Sequence, residues 1–279
     1  MTLTPTNPPN QPNPGQHRTP LRLIDASFAG QGALGTAVSA AILRRVARRE
    51  ILSTARIHRT GPILAFGRID RLSPGYPRAI ATAEELGYEP VERIAGGRAA
   101  VFHEGTLAFS RATPERDSFV GTHPRYAAMA ELLAVALRTV GLDARVGEVP
   151  GEYCPGTYSV NARGAVKIAG LGQRVIAGGA HVGGVIVIGG EDRIRAVLIP
   201  VYEALGLNWE PETAGSVATE LGVGEDGIEE LTAAVRDAFV AGLAAEHLIE
   251  PAELDEATLA MAAKLGRDHA TPSSAPRPG

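Results

Sequence analysis

The chain has 279 residues, a formal net charge of -4 and a single cysteine. Of its residues 44% are hydrophobic and 21% are charged, which is typical of a globular protein with a substantial core. The small negative charge gives no electrostatic footprint for nucleic acid or for an anionic membrane surface. One cysteine excludes an internal disulfide and any multi-cysteine metal site, and it fits a reducing compartment.

Both ends of the chain have a composition typical of disorder. Residues 1–20 contain six prolines and almost no apolar residues, and residues 268–279 are similar; we expect both tails to be disordered. We find no run of the roughly 18 apolar residues that a membrane helix requires. An apolar run after a basic start, which would indicate a secretory signal, is also missing. We therefore expect a cytoplasmic protein.

The first part of the folded region contains a glycine pattern that could indicate a dinucleotide-binding site. A short strand at 21–25 is followed by GQGALG at 30–35 and then by a helical run at 36–50. Strand, glycine loop and helix is the context of a dinucleotide-binding fingerprint. That fingerprint also needs an acidic residue at the end of a second strand, and residues 51–61 contain none. We rank a nicotinamide enzyme last.

The middle of the chain mixes strands and helices without regular alternation. Residues 62–70 are predicted to be a buried strand, and a helix then ends near Gly87. Residues 89–110 indicate a strand, a glycine turn and a β-hairpin. Helices are predicted over 123–142 and 191–207, with further strands between them. This order favours an α+β fold over a doubly wound sheet.

After Trp209 the sequence predicts helices only. The stretches 228–247 and 253–267 both have helical periodicity. The apolar stripe of the first consists of Leu231, Val235, Ala238, Phe239 and Leu243. We therefore divide the folded region into a main domain, residues 21–210, and a small helical C-terminal appendage, residues 211–267.

The segment 151–174, GEYCPGTYSVNARGAVKIAGLGQR, has the strongest chemical signal. Cys154 lies in a Cys-Pro-Gly turn, and a predicted hairpin follows, with NARG as its turn and Lys167 in its second strand. Such a hairpin can bring the lysine back towards the thiol, and a nearby positive charge lowers the pKa of a thiol and makes it nucleophilic. Taken singly, a small buried cysteine and a surface lysine are ordinary features. The turn around Cys154 and the apolar strand around Lys167 favour the functional interpretation.

Two segments resemble the motifs of the lipoate–protein ligase family. RIAGGRAAVFHEGTLAFS (93–110) aligns without a gap to the motif RRxSGGGAVYHDxGNLNFS, and AVKIAGLGQR (165–174) is similar to GRKIAGxAQR. PILAFGR (62–68) resembles the earlier PxxxxGR strand of the same family. The resemblance covers about residues 20–210. It implies a biotin/lipoate-ligase-type α+β domain, with a mixed sheet flanked by helices.

The resemblance also assigns roles to residues. The lysine of the second motif, Lys167 here, would contact the acyl carbonyl, where an ammonium stabilises a developing oxyanion. The glycine turn and the following hairpin would wrap the acyl chain. The residues expected to bind the acyl group or substrate are Arg93, Gly96, Gly97, Arg98, Ala99, His103, Gly170 and Gln173. No metal-ligand spacing is visible among the histidines.

Within this family, the segment EYCPGTY resembles the cysteine loop of the octanoyl amidotransferase branch. Ala95, Arg98 and the pair Phe102–His103 depart from the motif of the ATP-dependent ligases. Our leading hypothesis is therefore an acyltransferase that needs no cofactor. It would move an octanoyl or lipoyl group, through a Cys154 thioester, to the lysine of a lipoyl-carrier domain. The carriers that the resemblance implies are 2-oxoacid dehydrogenase E2 and the glycine cleavage H protein.

Two alternatives remain open at this stage. In an ATP-dependent lipoate–protein ligase, ATP and Mg²⁺ would be required and Cys154 would be incidental. In a non-catalytic carrier-binding relative, the C-terminal helices would mediate association, and replacing Cys154 or Lys167 would leave the function intact. The sequence does not identify the acyl group, the carrier, the oligomeric state or the role of the C-terminal helices.

Overall fold

A computed structural model describes residues 18–116 and 120–272 of the chain. The strands in this part are β1 (Thr19–Ile24), β2 (Thr54–Arg59), β3 (Ile63–Phe66), β4 (Glu89–Glu92), β5 (Ala100–Phe102), β6 (Thr106–Pro114), β7 (Ala144–Val146), β8 (Val160–Ala162), β9 (Val166–Ile176), β10 (Gly179–Val187) and β11 (His247–Pro251). The helices are α1 (Gly32–Ala47), α2 (Tyr76–Glu85), α3 (Thr122–Thr139), α4 (Glu191–Leu205), α5 (Val217–Leu221), α6 (Ile228–Glu246) and α7 (Glu256–Leu265). Within the described residues, none of these helices has the length and apolar character needed to cross a bilayer.

The strands form one large and one small mixed sheet. The large sheet has the order β11-β1-β2-β6-β10-β9-β8-β7, and the small sheet has the order β4-β3-β5. Strand β1 runs parallel to both of its neighbours, whereas β6, β10 and β9 pair antiparallel. This mixed sheet with flanking helices confirms the α+β fold expected from the sequence.

Alternation along the central strands separates the two faces of the large sheet. Ile57, Phe109 and Val182 point to one face, where they pack with α3 and α6 in the main core. Their neighbours point to the other face, which is covered by α1 and by the small sheet. Helices α2 and α4 pack together on the small sheet and bury a second core. The functional site lies between the two sheets.

The predicted hairpin around Lys167 is confirmed. Strands β8 and β9 pair antiparallel, and the N–H of Ala165 donates to the carbonyl of Ala162 across the turn. Arg163 and Gly164, the central residues of this turn, have φ values of 57° and 75°. Positive φ at both central positions is the geometry that matches the twist of a two-stranded hairpin, and the Arg-Gly pair supplies it.

The C-terminal segment contains a strand that the sequence analysis did not predict. The two predicted helices are present as α6 and α7, and the predicted stripe of α6 is buried in the main core against α3. Between them, β11 pairs parallel with β1 and forms an edge of the large sheet. Strand β11 is only five residues long, and its apolar residues Leu248 and Ile249 are adjacent, so the sequence lacks the alternation of apolar and polar residues that would indicate a strand.

The predicted hairpin between Gly97 and Ser110 is wrong in its pairing. Strand β5 pairs with β3 in the small sheet, whereas β6 pairs with β2 and β10 in the large sheet. The chain crosses between the sheets at His103–Gly105, where the Thr106 hydroxyl donates to the His103 carbonyl. Local propensity predicts the strands, but it does not determine their partners.

The boundaries of the predicted disordered tails also need correction by a few residues. Thr19 and Pro20 belong to β1, and the Nδ1 of the buried His269 lies 2.8 Å from the carbonyl oxygen of Glu92. Ala270 forms a bridge with Val91 of the small sheet. Residues 1–17 and 273–279, on which the rest of this prediction falls, lie outside the described residues.

Candidate active site

A cavity of about 440 Å³ lies between the two sheets, beneath the N-terminal half of α1. Its floor includes small residues of the large sheet, Ala108, Gly170 and Gly183, and the space above them stays open. Its roof is apolar and comes from the small sheet, mainly Ile63 and Phe102. A largely apolar space of this size suits a medium-length hydrocarbon chain.

Cys154 opens onto this cavity from the loop between β7 and β8, and its backbone is held on both sides. Its N–H donates to the hydroxyl of Tyr202 at 3.0 Å, and its carbonyl oxygen accepts from the Nζ of Lys167 at 2.8 Å. The residue has a φ of 43°, which costs a non-glycine residue about 1–3 kcal/mol unless its surroundings enforce it. The two backbone contacts supply that enforcement and fix the direction of the side chain.

The sulfur of Cys154 accepts a hydrogen bond from the backbone N–H of Arg98, with a distance of 3.1 Å. A backbone donor at this distance stabilises negative charge on the sulfur. After attack, it is also in place to reach an oxyanion that forms beside the sulfur. The Arg98 N–H could therefore stabilise both a Cys154 thiolate and an oxyanion next to it.

Lys167 is almost completely buried, with 1% of its surface exposed. Its Nζ donates to the carbonyl oxygens of Tyr153 and Cys154 and lies 3.1 Å from Oε1 of Glu152. The Glu152 carboxylate also accepts from the Ser159 hydroxyl at 2.6 Å. The predicted proximity of Lys167 and Cys154 is confirmed, but the lysine contacts the cysteine's backbone carbonyl, and it links the cysteine loop to β9.

The glycine turn is packed directly against the thiol. Gly97 has a φ of 105°, and a methyl group built on it would lie 2.9 Å from the Sγ of Cys154. The Arg93 guanidinium donates to the Arg98 carbonyl at 2.9 Å. Asp70, fully buried, lies 3.3 Å from the Arg98 guanidinium and accepts from the Gly67 N–H at 2.8 Å. Burial raises the pKa of Asp70, against the opposing effect of these two donors.

The structure brings most of the predicted site residues together. The ones that line the cavity are Cys154, Lys167, Arg93, Gly96, Gly97 and Gly170. Arg98 contributes its backbone N–H to the sulfur. Ala99 is connected to Cys154 through Tyr202, whose hydroxyl donates to the Ala99 carbonyl at 3.0 Å.

The other two predicted residues, His103 and Gln173, neither line the cavity nor connect to Cys154. His103 lies in the crossing between the sheets, where its Nδ1 accepts from the Gly105 N–H, and burial lowers its pKa to about 4. Gln173 lies beside the cavity in a shallow depression near Arg174. Its side chain accepts from Arg125 and donates to the Thr122 carbonyl. Through these contacts, His103 and Gln173 support the structure around the site.

Three residues of the site were missed by sequence analysis. Glu152 stands two positions before the cysteine, and Asp70 stands two positions after PILAFGR (62–68), so proximity to a motif was a usable signal for both. No feature of the sequence indicated Tyr202. It lies on α4, 48 residues after Cys154, whose N–H donates to its hydroxyl. Only the packing of α4 on the small sheet brings it to the loop.

The glycine pattern GQGALG does begin a helix, but the start of α1 already holds an anion. The carboxylate of Glu89 accepts from the N–H groups of Gly32 at 2.7 Å and Ala33 at 3.0 Å. These are the backbone donors that a pyrophosphate would use at a helix N-terminus. The protein's own side chain takes that position, which fits the low rank given to a nicotinamide enzyme.

Two packed sheets enclose a cavity that is lined by a cysteine and a buried lysine. A family model described as "Lipoyl protein ligase A/B catalytic domain" matches residues 32–216. The chain belongs to this family.

Named relatives and solved structures place the chain within that family. It is 34% identical over 194 residues to octanoyl-[GcvH]:protein N-octanoyltransferase of Geobacillus kaustophilus, covering 70% of this chain and 65% of that protein. It is 29% identical to lipoyl-[GcvH]:protein N-lipoyltransferase of Listeria monocytogenes, covering 57% of this chain and 60% of that protein. The fold is similar to a crystal structure of lipoate-protein ligase A bound with ATP, with a TM-score of 0.64 and 20% identity over 88% of this chain and 94% of that one.

Proposed function

We propose that the protein transfers an octanoyl or lipoyl group between lipoyl-carrier proteins through a thioester on Cys154. The observation that carries this proposal is the position of the Cys154 sulfur, which opens onto the acyl-sized cavity 3.1 Å from the Arg98 N–H. The relatives named for octanoyl and lipoyl transfer from GcvH support the same reaction. By that analogy the donor is an acylated GcvH, and the acceptor is the lysine of a 2-oxoacid dehydrogenase E2 lipoyl domain.

In the first half-reaction the Cys154 thiolate attacks the carbonyl carbon of the acyl-lysine amide of the donor. The S–C bond forms and the C–N bond breaks, and the departing lysine amine takes up the proton that the thiol gave up. The oxyanion of the intermediate is held by the Arg98 N–H and by Lys167. Lys167 reaches this oxyanion by exchanging one of its two carbonyl contacts, since all three of its protons are directed at acceptors in the free protein.

In the second half-reaction the amine of the acceptor lysine attacks the thioester. The new C–N bond forms, the C–S bond breaks, and the proton released by the amine returns to the sulfur. One lysine amide has then replaced another, so the exchange needs no energy from a nucleotide. Because a thioester is less stable than an amide, the acyl-enzyme is expected to be a minor species.

The experiment combines transfer and trapping in the absence of ATP. The full chain is incubated with a carrier protein that bears isotope-labelled octanoyl on its lysine and with an unmodified lipoyl domain. We expect label on the acceptor, and a hydroxylamine-sensitive adduct of octanoyl mass on the enzyme. Cys154→Ala should lose both signals. Glu148→Ala, at an exposed position of the same loop that does not line the cavity, is the matched control and should keep them.

Other outcomes would favour the alternatives. Acceptor modification that appears only with ATP, Mg²⁺ and the free acid, and that persists in Cys154→Ala, would make the protein a ligase. Carrier binding without any transfer, unchanged in Cys154→Ala and in Lys167→Met, would make it a non-catalytic relative.

A further inference from the structure

The cavity has a polar inner end opposite the cysteine. His58, Ala108, Val185 and Gly170 pair in one row across β2, β6, β10 and β9, and all four line the cavity. Three strand spacings separate His58 from Gly170, which is roughly 14 Å. Gly170 adjoins the Lys167 side chain, since a methyl group built on it would lie 3.2 Å from Cε. An acyl chain attached at Cys154 therefore points its far end towards His58.

The side chains at this inner end are polar and incompletely paired. The residues concerned are Ser39, His58, Thr60, Ser110 and His181, and all of them line the cavity. Among the described residues, Nδ1 of His58 and Oγ1 of Thr60 have no hydrogen-bond partner. Leaving such groups unpaired costs about 1–3 kcal/mol each. A cavity meant only for a hydrocarbon chain has no use for them.

Behind these side chains lies a buried cation. Arg56 is 1% exposed and donates to the hydroxyl of Ser39 and to the carbonyls of Gly35 and Ala26. Burial lowers its pKa to about 10, and no carboxylate among the described residues offsets that effect. Its positive field extends into the inner end of the cavity, where electron-rich atoms are favoured.

The two histidines there are neutral. Burial lowers the pKa of His181 to about 4 and that of His58 well below its ordinary value, in both cases with a smaller contribution from the charge of Arg56. A neutral imidazole presents one N–H donor and one acceptor. The inner end thus combines N–H and hydroxyl donors with a positive field, and the described residues that line it include no carboxylate.

We infer that this inner end binds a sulfur- or oxygen-bearing far end of the acyl chain, so that the enzyme prefers such a chain to plain octanoyl. The inference rests on the proposed function and specifies its acyl group. A methyl end leaves the polar groups unpaired, whereas a heteroatom accepts from them. The lipoyl group, which carries two sulfur atoms at its far end, belongs to the favoured class, as does an 8-hydroxyoctanoyl group.

The test compares three donors on one carrier protein: octanoyl, 8-hydroxyoctanoyl and lipoyl. Transfer by the full chain is measured without ATP, and kcat/KM is compared between donors. We expect the hydroxylated and the lipoyl donors to exceed octanoyl roughly 3- to 10-fold, the range that one net hydrogen bond supplies. Octanoyl transferred equally well or better would overturn the inference. Transfer of none of the donors, with no thioester on Cys154, would instead defeat the proposed function.

Single-residue variants test whether the inner end of the cavity causes the preference between acyl donors. His58→Leu should remove most of the discrimination between the donors. Ser110→Ala, a smaller change on the neighbouring strand, should reduce the discrimination and serves if His58→Leu does not fold. His269→Leu replaces a buried histidine that does not line the cavity, and it should leave the ratio between donors unchanged. An unchanged ratio in both His58→Leu and Ser110→Ala would refute the assignment of the inner end.

Discussion

The backbone N–H of Arg98 lies 3.1 Å from the sulfur of Cys154, so a glycine turn and a cysteine loop from distant parts of the sequence meet at the thiol. The direction of that N–H depends on the conformation of the Gly97–Arg98 peptide. Two side chains hold Arg98 next to that peptide: Arg93 donates to the Arg98 carbonyl, which belongs to the following peptide, and Asp70 pairs with the Arg98 guanidinium. The hydrogen bond to the sulfur is therefore supported by charged groups that do not themselves touch it.

Replacing the Arg98 side chain should make Cys154 less reactive although the N–H itself remains. In Arg98→Ala the turn loses its anchor on Asp70, and we expect alkylation of Cys154 at neutral pH to slow roughly 3- to 10-fold, the worth of one hydrogen bond. Arg98→Lys retains a cation for Asp70 and should restore most of the rate. If the alanine and lysine variants are both alkylated at the wild-type rate, the Arg98–Asp70 pair does not position the donor.

Lys167 has two roles that a double variant can separate. Lys167→Met leaves the fully buried Glu152 carboxylate without its cation, and breaking such a pair costs about 3–5 kcal/mol. We expect a lower midpoint of urea unfolding and no acyl transfer. Glu152→Gln with Lys167→Met removes both charges and should recover most of the stability.

Acyl transfer in this double variant decides the role of Lys167. We expect transfer to remain absent, because the oxyanion still lacks its cationic donor. Recovery of transfer together with stability would show that Lys167 only holds the loop. Circular dichroism of both variants checks that the fold is intact.

Acid should destabilise the protein through its neutral buried histidines. Burial lowers the pKa of His181 and of His103 from 6.5 to about 4. Between these values the unfolded chain binds protons that the folded chain does not, so this stability is complete above pH 6.5 and is lost as the pH falls towards 4. At pH 5 the loss is about 2 kcal/mol for each histidine.

The measurement is urea unfolding at pH 7.5 and pH 5.0. His181→Gln should show a smaller difference between the two pH values than wild type, because one of the contributing groups is gone. His123→Gln, at an exposed position, should keep the wild-type difference. A His181→Gln variant with the full wild-type difference would contradict the assignment.

The sequence predicted those parts of the site that lie within short segments. The hairpin of β8 and β9 follows from the turn chemistry of NARG, and this hairpin alone returns Lys167 to the cysteine loop. Motif resemblance correctly located the glycine turn. The contact of Tyr202 with the Cys154 backbone was not predictable, because only the packing of α4 on the small sheet brings Tyr202 to the cysteine loop. The prediction that β5 pairs with β6 failed for the same reason, since tertiary context selected β3 as the partner of β5.

Gly97 and Gly96 provide the sharpest comparison within the site. Gly97 has a φ of 105°, which strains any other residue, and a methyl group on it would lie 2.9 Å from the Cys154 sulfur. A methyl group on Gly96, one residue earlier, would meet nothing within 4 Å. Gly97→Ala must therefore move the turn or the thiol, whereas Gly96→Ala fits the existing structure.

We expect Gly97→Ala to reduce both alkylation of Cys154 and acyl transfer by roughly tenfold or more, as a backbone strain of about 1–3 kcal/mol together with the steric contact implies. Gly96→Ala should alkylate at close to the wild-type rate. Both variants should melt cooperatively, because the turn lies at the rim of the cavity and outside the two main cores. Equal alkylation rates in the two variants would show that the Gly97 turn does not control the thiol, and the close packing of these two residues would then have no bearing on reactivity.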